Sequence, residues 1–399
     1  MSVSESVSLP RDAQRLLSLI DALSLSGSLL EERFWEAQLE QQLDRILTAR
    51  KNRHIETVLE YLGQNQPDAY DLLIEKAEAH TETLQMDDGD TPLDALLITA
   101  PVNAWTRYQL PEGRLDEARL LALMDALRET VLVPDARLTM ADTLLNFESL
   151  PQSFHATRAL TRRLAQAALA DQPIMRITGM PPSGNGMLAD VRYLVALVLV
   201  PRGQAVFRWQ AQAAHVERER ARCALDWETR CTPILDPLFT GCHAHYLRPD
   251  AYYSNSREAE QRIRPLVLRA AIAWLQAAAN VAPEELRAAI VGCGEPMLQE
   301  YRIGFSTRED KTVIYGCQWP ILSREEAFNE MMDGDTLGAV EEITALLREE
   351  GVGEVRRLPD CNMAEFCEDC GAPFFPDMMG ELQHPELPEE TNLDPVLLH

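Results

Sequence analysis

The hydrophobic pattern divides the chain into a helical beginning and a longer part in which strands and helices alternate. From residue 10 to about residue 84, apolar residues recur at helical spacing, as in Leu16, Ile20 and Leu23, with Gly27 as a helix stop. From about residue 93, apolar runs typical of strands alternate with helical patterns. The acidic segment from Met86 to Pro92 lacks the loop length and terminal glutamate of a calcium site, so it is predicted to be a linker.

In the alternating part, a strand that leads into a helix through a leucine and a proline occurs three times. Proline suits this boundary because its fixed φ and missing N–H are compatible with the first turn of a helix. The three boundary prolines are Pro111, Pro151 and Pro249. This recurrence indicates a diverged duplication.

Two of these units are followed by a predicted hairpin. The first pairs residues 193–200 with 205–210, and the second pairs 286–292 with 298–305 and gains a third strand over 312–321. The duplication makes Arg208 and Arg302 equivalent strand positions. A last helix is predicted to stop at Gly351.

The predicted fold is therefore α+β, with a helical N-terminal module, a duplicated α/β body containing a mixed sheet, and a C-terminal tail. We expect the helical module over residues 1–85, the first repeat over 92–229 and the second repeat over 230–324. Residues 325–399 are expected to form an acidic helix followed by a cysteine- and histidine-bearing tail. At 399 residues the chain is long enough for this division.

The net charge of the chain narrows the classes of molecule that we expect it to bind. The net charge is −26, and residues 325–399 alone contain 20 acidic and 3 basic residues. A field of this sign repels phosphates and anionic lipid surfaces, so neither nucleic acid nor a membrane is expected as a partner. A protein partner of the acidic tail, or simple solvation of the tail, remains open.

Cysteine use and the N-terminal sequence indicate the cytoplasm. Eight cysteines are present, and the first residues lack a cationic and apolar leader, which argues against secretion and a disulfide framework. The longest apolar run, residues 193–200, is shorter than the roughly eighteen residues needed to cross a bilayer.

The motif Cys367-Glu-Asp-Cys370-Gly371 is the strongest chemical signal in the chain. Two cysteines at this spacing can turn both thiolates toward one point, and a glycine suits the tight turn around them. With Cys361 before it and His384 after it, the ligand count reaches the four of a structural tetrahedral zinc site. The sequence therefore predicts a small zinc-binding hook near the C-terminus.

Two alternatives to zinc remain open for this motif. A redox pair normally has its first cysteine at a helix N-terminus, whereas Gly-Ala-Pro-Phe-Phe-Pro follows here and cannot continue as a helix. Unrelated reduced thiols in a loop are the other alternative. A complete zinc ribbon has two Cys-x-x-Cys knuckles, so Cys361 and His384 are weaker candidates than Cys367 and Cys370.

Other candidate sites have weaker patterns. Arg107, Arg208 and Arg302 lie beside aromatic residues on predicted strands, where they could bind a carboxylate or phosphate, or simply face solvent. Cys242-His243-Ala-His245 places two histidines on one side of a strand without an evident third ligand. The loop over residues 179–186 could surround an anion, but it lacks the lysine and hydroxyl of a P-loop. The sequence contains no recognised catalytic motif, so it identifies no candidate catalytic residue.

Several segments together resemble an uncharacterised family of bacterial proteins, a domain of unknown function with a terminal Cys-x-x-Cys-Gly-Ala-Pro motif. They are Arg33–Glu36, Thr99–Trp105, Phe207–Gln210, Pro249–Tyr253, Arg262–Pro265, Glu300–Phe305 and Phe366–Pro373. The resemblance spans most of the chain and implies a bacterial source but no activity. Cys367, Cys370 and Gly371 match its terminal motif.

The function expected from the sequence is that of a cytosolic binding or regulatory protein with a structural zinc ion. The alternative is an enzyme that acts on a small anionic substrate in a cleft between the two repeats, with the arginines as positioning groups. The sequence identifies no ligand.

Overall fold

The structure is a computed structural model that describes residues 9–51, 53–106, 110–177, 188–211, 215–295, 297–331 and 338–392. Within these ranges the chain forms ten α-helices and fifteen β-strands, several of them in sheets that mix parallel and antiparallel pairs. The predicted α+β class is confirmed.

Four helices form the first part of the described chain, as the apolar spacing predicted. They are α1 (Arg11–Ser24), α2 (Leu29–Thr48), α3 (Arg53–Asn65) and α4 (Pro67–Glu82). The Ser28 hydroxyl accepts a hydrogen bond from the Glu31 N–H and so caps α2, while Pro67 starts α4. The apolar faces of all four helices meet in one core, in which Leu16, Leu43 and Leu73 are buried.

A seven-stranded sheet and its helices follow. The elements are β1 (Thr83–Asp88), β2 (Thr91–Trp105), β3 (Gly113–Arg114), α5 (Glu117–Thr130), β4 (Arg137–Ala141), β5 (Thr143–Leu144), α6 (Phe154–Leu169), β6 (Ile174–Met175), β7 (Ala189–Pro201), α7 (Val216–Leu235), β8 (His243–Tyr246), β9 (Asp250–Ala251) and α8 (Tyr252–Ala278). The strand order is β1-β2-β7-β4-β6, with β8 and β9 also paired to β2, while β3 and β5 form a separate two-stranded sheet. Along β7, alternate residues pack with α5 and α7 on one face and with α6 and α8 on the other.

Two predicted connections differ from the structure. The segment from Met86 to Pro92 is not a linker, because β1 and β2 pair across the turn at Gly89 as an antiparallel hairpin. Residues 205–210 form turns instead of a strand, because β7 is already paired with β2 on one side and β4 on the other. The long apolar β7 is thus a central strand, and the first predicted hairpin is wrong.

The second sheet confirms the second predicted hairpin and its third strand. Its elements are β10 (Leu286–Cys293), β11 (Glu300–Thr307), β12 (Tyr315–Pro320), α9 (Arg324–Met331), α10 (Ala339–Glu349) and β13 (Glu354–Asn362). The order is β12-β11-β10-β13, with β13 parallel to β10. After α10, Gly351 adopts a positive φ of 87°, which supports the predicted helix stop.

Helix α8 joins the two sheets. Its first half packs against the seven-stranded sheet through Ala259, and its second half packs with α10 on the four-stranded sheet through Leu268 and Leu275. Although α8 has 27 residues, neither it nor any other helix in the described ranges is long and apolar enough to cross a membrane.

Candidate metal centre

A short tail after β13 carries the cysteine motif and folds onto the four-stranded sheet. Its only regular elements in the described residues are β14 (Phe375–Pro376) and β15 (Leu382–Gln383), which pair antiparallel. The chain around the motif is held in a tight turn, in which the Gly371 N–H donates to the Cys367 carbonyl at 2.9 Å and the Cys367 N–H donates to the Ala372 carbonyl at 2.8 Å. Gly371 has a φ of 72°, so a glycine is favoured there, as the motif predicted.

Three metal-ligating side chains converge at this turn. The ligand atoms of Cys367, Cys370 and His384 all lie within 4.8 Å of one another. The Cys370 Sγ is 3.2 Å from the His384 Nε2. These three residues are therefore close enough to hold a metal ion, as the sequence predicted for them. Thiolate and imidazole ligands suit zinc and other borderline or soft metal ions.

Backbone dipoles favour the thiolate form at this site. Hydrogen bonds from the N–H groups of Cys370 and then Asp369 lower the pKa of the Cys367 thiol. Cys370 is exposed, while Cys367 and His384 are partly buried. A metal ion bound here would be approached from solvent on the Cys370 side.

His384 is brought to the cysteines by a turn built around Asp377. This carboxylate is 5% exposed, and its Oδ1 accepts hydrogen bonds from the N–H groups of Met379 and Glu381. Its Oδ2 accepts a third from the side-chain amide of Gln383 at 2.9 Å. Asp377 therefore closes the connection between β14 and β15, immediately before His384.

The tail hairpin lies directly on the backbone of the sheet. Gly304 and Gly316 face each other across β11 and β12, on the side opposite α8 and α10. A Cβ on Gly304 would lie 2.0 Å from the Pro376 carbonyl oxygen, and one on Gly316 would lie 2.2 Å from the Phe375 ring. Only glycine at these positions permits this approach.

Arg302 fixes the tail beside the two glycines. Its side chain is 0% exposed, and its Nη1 donates to the Glu365 and Phe374 carbonyls at 2.6 and 2.8 Å. Its Nε donates to Glu300 at 2.7 Å, and its guanidinium stacks on the Phe366 ring. The two carbonyls flank the cysteine turn, so Arg302 holds both sides of it.

The predicted ligands and arginines are not all brought together. The backbone of Cys361 pairs with Gly292 at the end of β13, but its side chain lies outside what the structure describes, so its role stays a prediction. Arg208 follows β7 in a turn, where it donates to the Arg128 carbonyl, so it is not a strand position equivalent to Arg302. Arg107 lies outside the described residues.

The weaker metal-like motif, Cys242-His243-Ala-His245, lies at the start of the edge strand β8. In β8, His243 stacks on Trp105 with a ring separation of 4.5 Å, and His245 is exposed. No group of three ligating side chains forms around Cys242, His243 and His245 in the described part of the chain. The glycine-containing loop over residues 179–186 lies outside the described residues.

A cleft of about 680 Å³ lies between the two sheets and the tail. One wall comes from β7 and the first half of α8, another from β12, and a third from Pro373, Phe375 and Pro385 of the tail. Among the described lining residues, neither Arg208 nor Arg302 is present. The candidate metal centre and the cleft therefore share the tail as a structural element.

The fold and this cysteine and histidine cluster define an α+β protein with a candidate metal centre in a docked tail. A family model described as a protein of unknown function (DUF2863) matches residues 1–398, so the chain belongs to that family. No curated protein and no solved structure matches the chain.

Three residues that position the tail with the candidate metal centre were not identified from the sequence. Asp377 had a readable signal, because an aspartate three residues before Gly380 is typical of a turn. Gly304 and Gly316 in predicted strands signal a close backbone approach, although the approaching segment cannot be identified from the sequence.

Proposed function

We propose that the protein is a cytosolic binding or regulatory protein whose C-terminal tail is held in place by a structural zinc ion. Cys367, Cys370 and His384 are the ligands that support this proposal, and Cys361 is the proposed fourth. The observation that carries it is the convergence of two thiols and one imidazole within 4.8 Å. No catalytic role is assigned to the metal.

The shape of the turn supports a structural zinc ion over a redox pair. The residues that follow Cys367 form a turn and not the start of a helix. A redox Cys-x-x-Cys motif normally uses a helix N-terminus to activate its first thiol. His384, contributed from 14 residues beyond Cys370, adds a ligand that a dithiol couple does not need.

The small core of the tail supports a stabilising role for the ion. Within the described residues, Leu358 and Met378 are the buried apolar residues that β13 and the tail contribute to the cluster on this face of the sheet. Such a small core buries little apolar surface, whereas structural zinc can contribute on the order of 10 kcal/mol to the folding of a small module.

The cytosolic part of the proposal is supported by the state of the cysteines. Cys223, Cys231 and Cys317 are buried without forming disulfides. Burial raises the pKa of the Cys231 and Cys317 thiols to about 12, so they are inert packing groups. Such thiols suit a reducing compartment.

Elemental metal content tests the proposal. Untagged protein purified without chelator is expected to contain about one zinc ion per chain, measured by plasma mass spectrometry. Cys367→Ser, Cys370→Ser and His384→Ala should each lose the metal, and Cys361→Ser should lose it if this residue is the fourth ligand. Cys242→Ser, in the other sheet region, is the matched control and should keep it.

The alternatives give different results in the same samples. A metal-free protein with a reversible disulfide between Cys367 and Cys370, detected by mass spectrometry, would support a redox pair. A metal-free protein in which both thiols are freely alkylated would support the alternative that these are unrelated reduced cysteines. Either result would overturn the zinc proposal.

A further inference from the structure

The cleft between the two sheets has the size and the apolar walls of a small-molecule site. Its volume is about 680 Å³, and its lining includes Phe147, Ile263, Val267 and Tyr315. Ligand pockets typically have volumes of about 300–1,000 Å³ and are lined mainly by apolar and aromatic side chains. The cleft therefore has room for one small molecule.

The two arginines in the described cleft lining are already held by protein groups. Arg192 is 4% exposed and pairs with Asp190. Arg264 is 5% exposed and donates to Glu326 at 2.7 Å and to the Pro320 carbonyl at 2.8 Å. Neither guanidinium is therefore left to neutralise an anion in the cleft.

The carboxyl groups of the lining do not select a cation either. Burial raises the pKa of the Glu260 carboxyl group, while the charges of Arg257 and Arg264 act against this rise. An ionised Glu260 thus already lies in the field of two arginines, and a protonated one carries no charge. Glu148 is exposed, so water and salt screen its charge.

The polar atoms of the lining that lack a hydrogen-bond partner are out of reach. In the described lining these atoms are the Tyr193 hydroxyl and the Arg264 Nε, and both are buried under protein. The surface that the cleft offers to a ligand is therefore mainly apolar. A charged ligand group placed against it would lose its hydration without gaining a free partner, which is unfavourable.

The third wall of the cleft belongs to the segment that contains the candidate metal centre. Pro373 follows Cys370 by three residues, and Pro385 directly follows His384. Between them, Phe375 is 4% exposed and packs against β12. A metal ion that joins Cys370 to His384 would fix both ends of this wall.

We infer that this cleft binds a neutral, largely apolar small molecule, and that the metal-held tail completes the binding site. The inference rests on the proposed binding function, since it identifies the ligand class of that function and makes the metal centre its support. Metal binding and ligand binding then strengthen each other by the same factor, because both need the docked tail. A neutral ligand differs from the small anionic substrate expected from the sequence.

Two matched pairs of probes test the ligand class. Phenylnaphthylamine is neutral at neutral pH and fluoresces in apolar surroundings, and anilinonaphthalene sulfonate has the same rings with a negative charge. We expect the neutral dye to bind the full chain at one site, at least about tenfold more tightly than the sulfonate, because burial of the sulfonate is uncompensated. Naphthylmethanol should likewise displace the dye at lower concentration than protonated naphthylmethylamine.

A substitution in the lining locates the dye. Phe147→Ala removes a lining side chain that is 46% exposed, so it should weaken dye binding several-fold while circular dichroism stays unchanged. Phe328→Ala is the matched control, because Phe328 is 56% exposed and lies outside the described cleft lining. It should leave the affinity unchanged.

Two further substitutions test the tail wall. His384→Ala, or removal of zinc with a chelator, should weaken dye binding about fivefold or more, and added zinc should restore the chelated wild type. Gly304→Ala should weaken binding without removing a metal ligand, because its Cβ would lie 2.0 Å from the Pro376 carbonyl oxygen and displace the tail. Gly27→Ala, where the nearest atom would be 3.6 Å away, is the control and should bind the dye like the wild type.

Several results would overturn the inference. These are a charged probe that binds as tightly as its neutral counterpart, equal affinities of Phe147→Ala and Phe328→Ala, or wild-type affinity in Gly304→Ala. Wild-type affinity in His384→Ala that has lost its zinc would overturn the link between the metal and the cleft.

The zinc content of the same samples separates the two proposals. Zinc-containing protein that does not bind phenylnaphthylamine overturns this inference alone. Zinc-free protein overturns the proposed metal centre and its link to the cleft, and Gly304→Ala then decides whether the tail completes the binding site.

Discussion

The N-terminal helices and the C-terminal tail are attached to the rest of the protein by the same device. In each case a buried arginine donates hydrogen bonds to two backbone carbonyls that lie in, or directly next to, the attached segment. Arg158 on α6 donates to the carbonyls of His80 and Thr83, and Arg302 on β11 donates to those of Glu365 and Phe374. Each arginine also pairs with a carboxylate, Asp44 or Glu300 respectively.

The two attached segments differ in what they bury. The four helices share a core of their own, which includes fifteen buried apolar residues, whereas within the described residues the tail and β13 contribute three, Leu358, Phe375 and Met378. A helical segment of that size can hold its shape through apolar burial, whereas the tail buries far less apolar surface. The ligand cluster lies in the segment with the smaller core, which is where a metal ion contributes most to folding.

The largest expected effect comes from removing the arginine of the tail. Arg302→Met leaves two carbonyls and Glu300 without their buried cation, so the tail should open more easily by about 3–5 kcal/mol. Hydrogen exchange of tail peptides measures this opening, and zinc affinity should fall with it. The control Arg357→Met removes a half-exposed ion pair with Glu341 in the same sheet and should cost less than about 1 kcal/mol.

Unchanged hydrogen-exchange protection of the tail in Arg302→Met would contradict the shared role of the two arginines. It would show that the hairpin and the metal ion are enough to hold the tail in place. Peptides from α1 to α4 should exchange as in the wild type. A loss of protection there would mean that the substitution affects the whole chain.

A smaller effect is expected when the helical region loses its arginine. Arg158→Met should lower the free energy of unfolding by about 1–3 kcal/mol, because buried carbonyls at the end of α4 lose their donor. Zinc content should not change. Arg162→Met is the matched control, since Arg162 lies one turn further along α6 and shares Asp44 but is 41% exposed. Equal urea midpoints for the two variants would contradict the role of Arg158.

An effect of similar size, which appears only at high pH, concerns Glu82, where α4 meets α8. Burial raises the pKa of Glu82 to about 7 from an ordinary value of 4.5, although its carboxylate accepts a hydrogen bond from the Tyr253 N–H. Its contribution to stability is therefore full below pH 4.5 and is lost as the pH rises through 7. Glu82→Gln should be more stable than the wild type by about 2 kcal/mol at about pH 8, with the difference shrinking toward pH 5.

Urea unfolding at several pH values measures this difference, with Glu75→Gln on the exposed side of α4 as the control. His80 acts in the opposite direction, because burial and then Arg158 lower its pKa to about 4 from 6.5. Its contribution is present above pH 6.5 and is lost as the pH falls through 4. A Glu82→Gln profile parallel to the wild type between pH 5 and about pH 8 would exclude a buried, protonated Glu82.

The local sequence pattern predicted secondary-structure elements well where a single hydrophobic periodicity dominated. The spacing of Leu16, Ile20 and Leu23 predicted α1, and the second hairpin followed from two apolar runs around a glycine and proline turn. The first hairpin was wrong because the apolar run of β7 has no alternation, and such a run can take partners on both sides. Pairing partners of a buried strand depend on residues far away in the chain.

For the candidate site, the sequence by itself determined the ligand types and the turn at Gly371, because spacing within a few residues fixes local geometry. Only the tertiary structure brought His384 to Cys370 and placed Gly304 beneath Pro376. It also directed the Arg302 side chain to backbone carbonyls of the tail instead of to an anion. These contacts join residues distant in sequence, so they depend on which surfaces pack together, and local pattern contains no information about that choice.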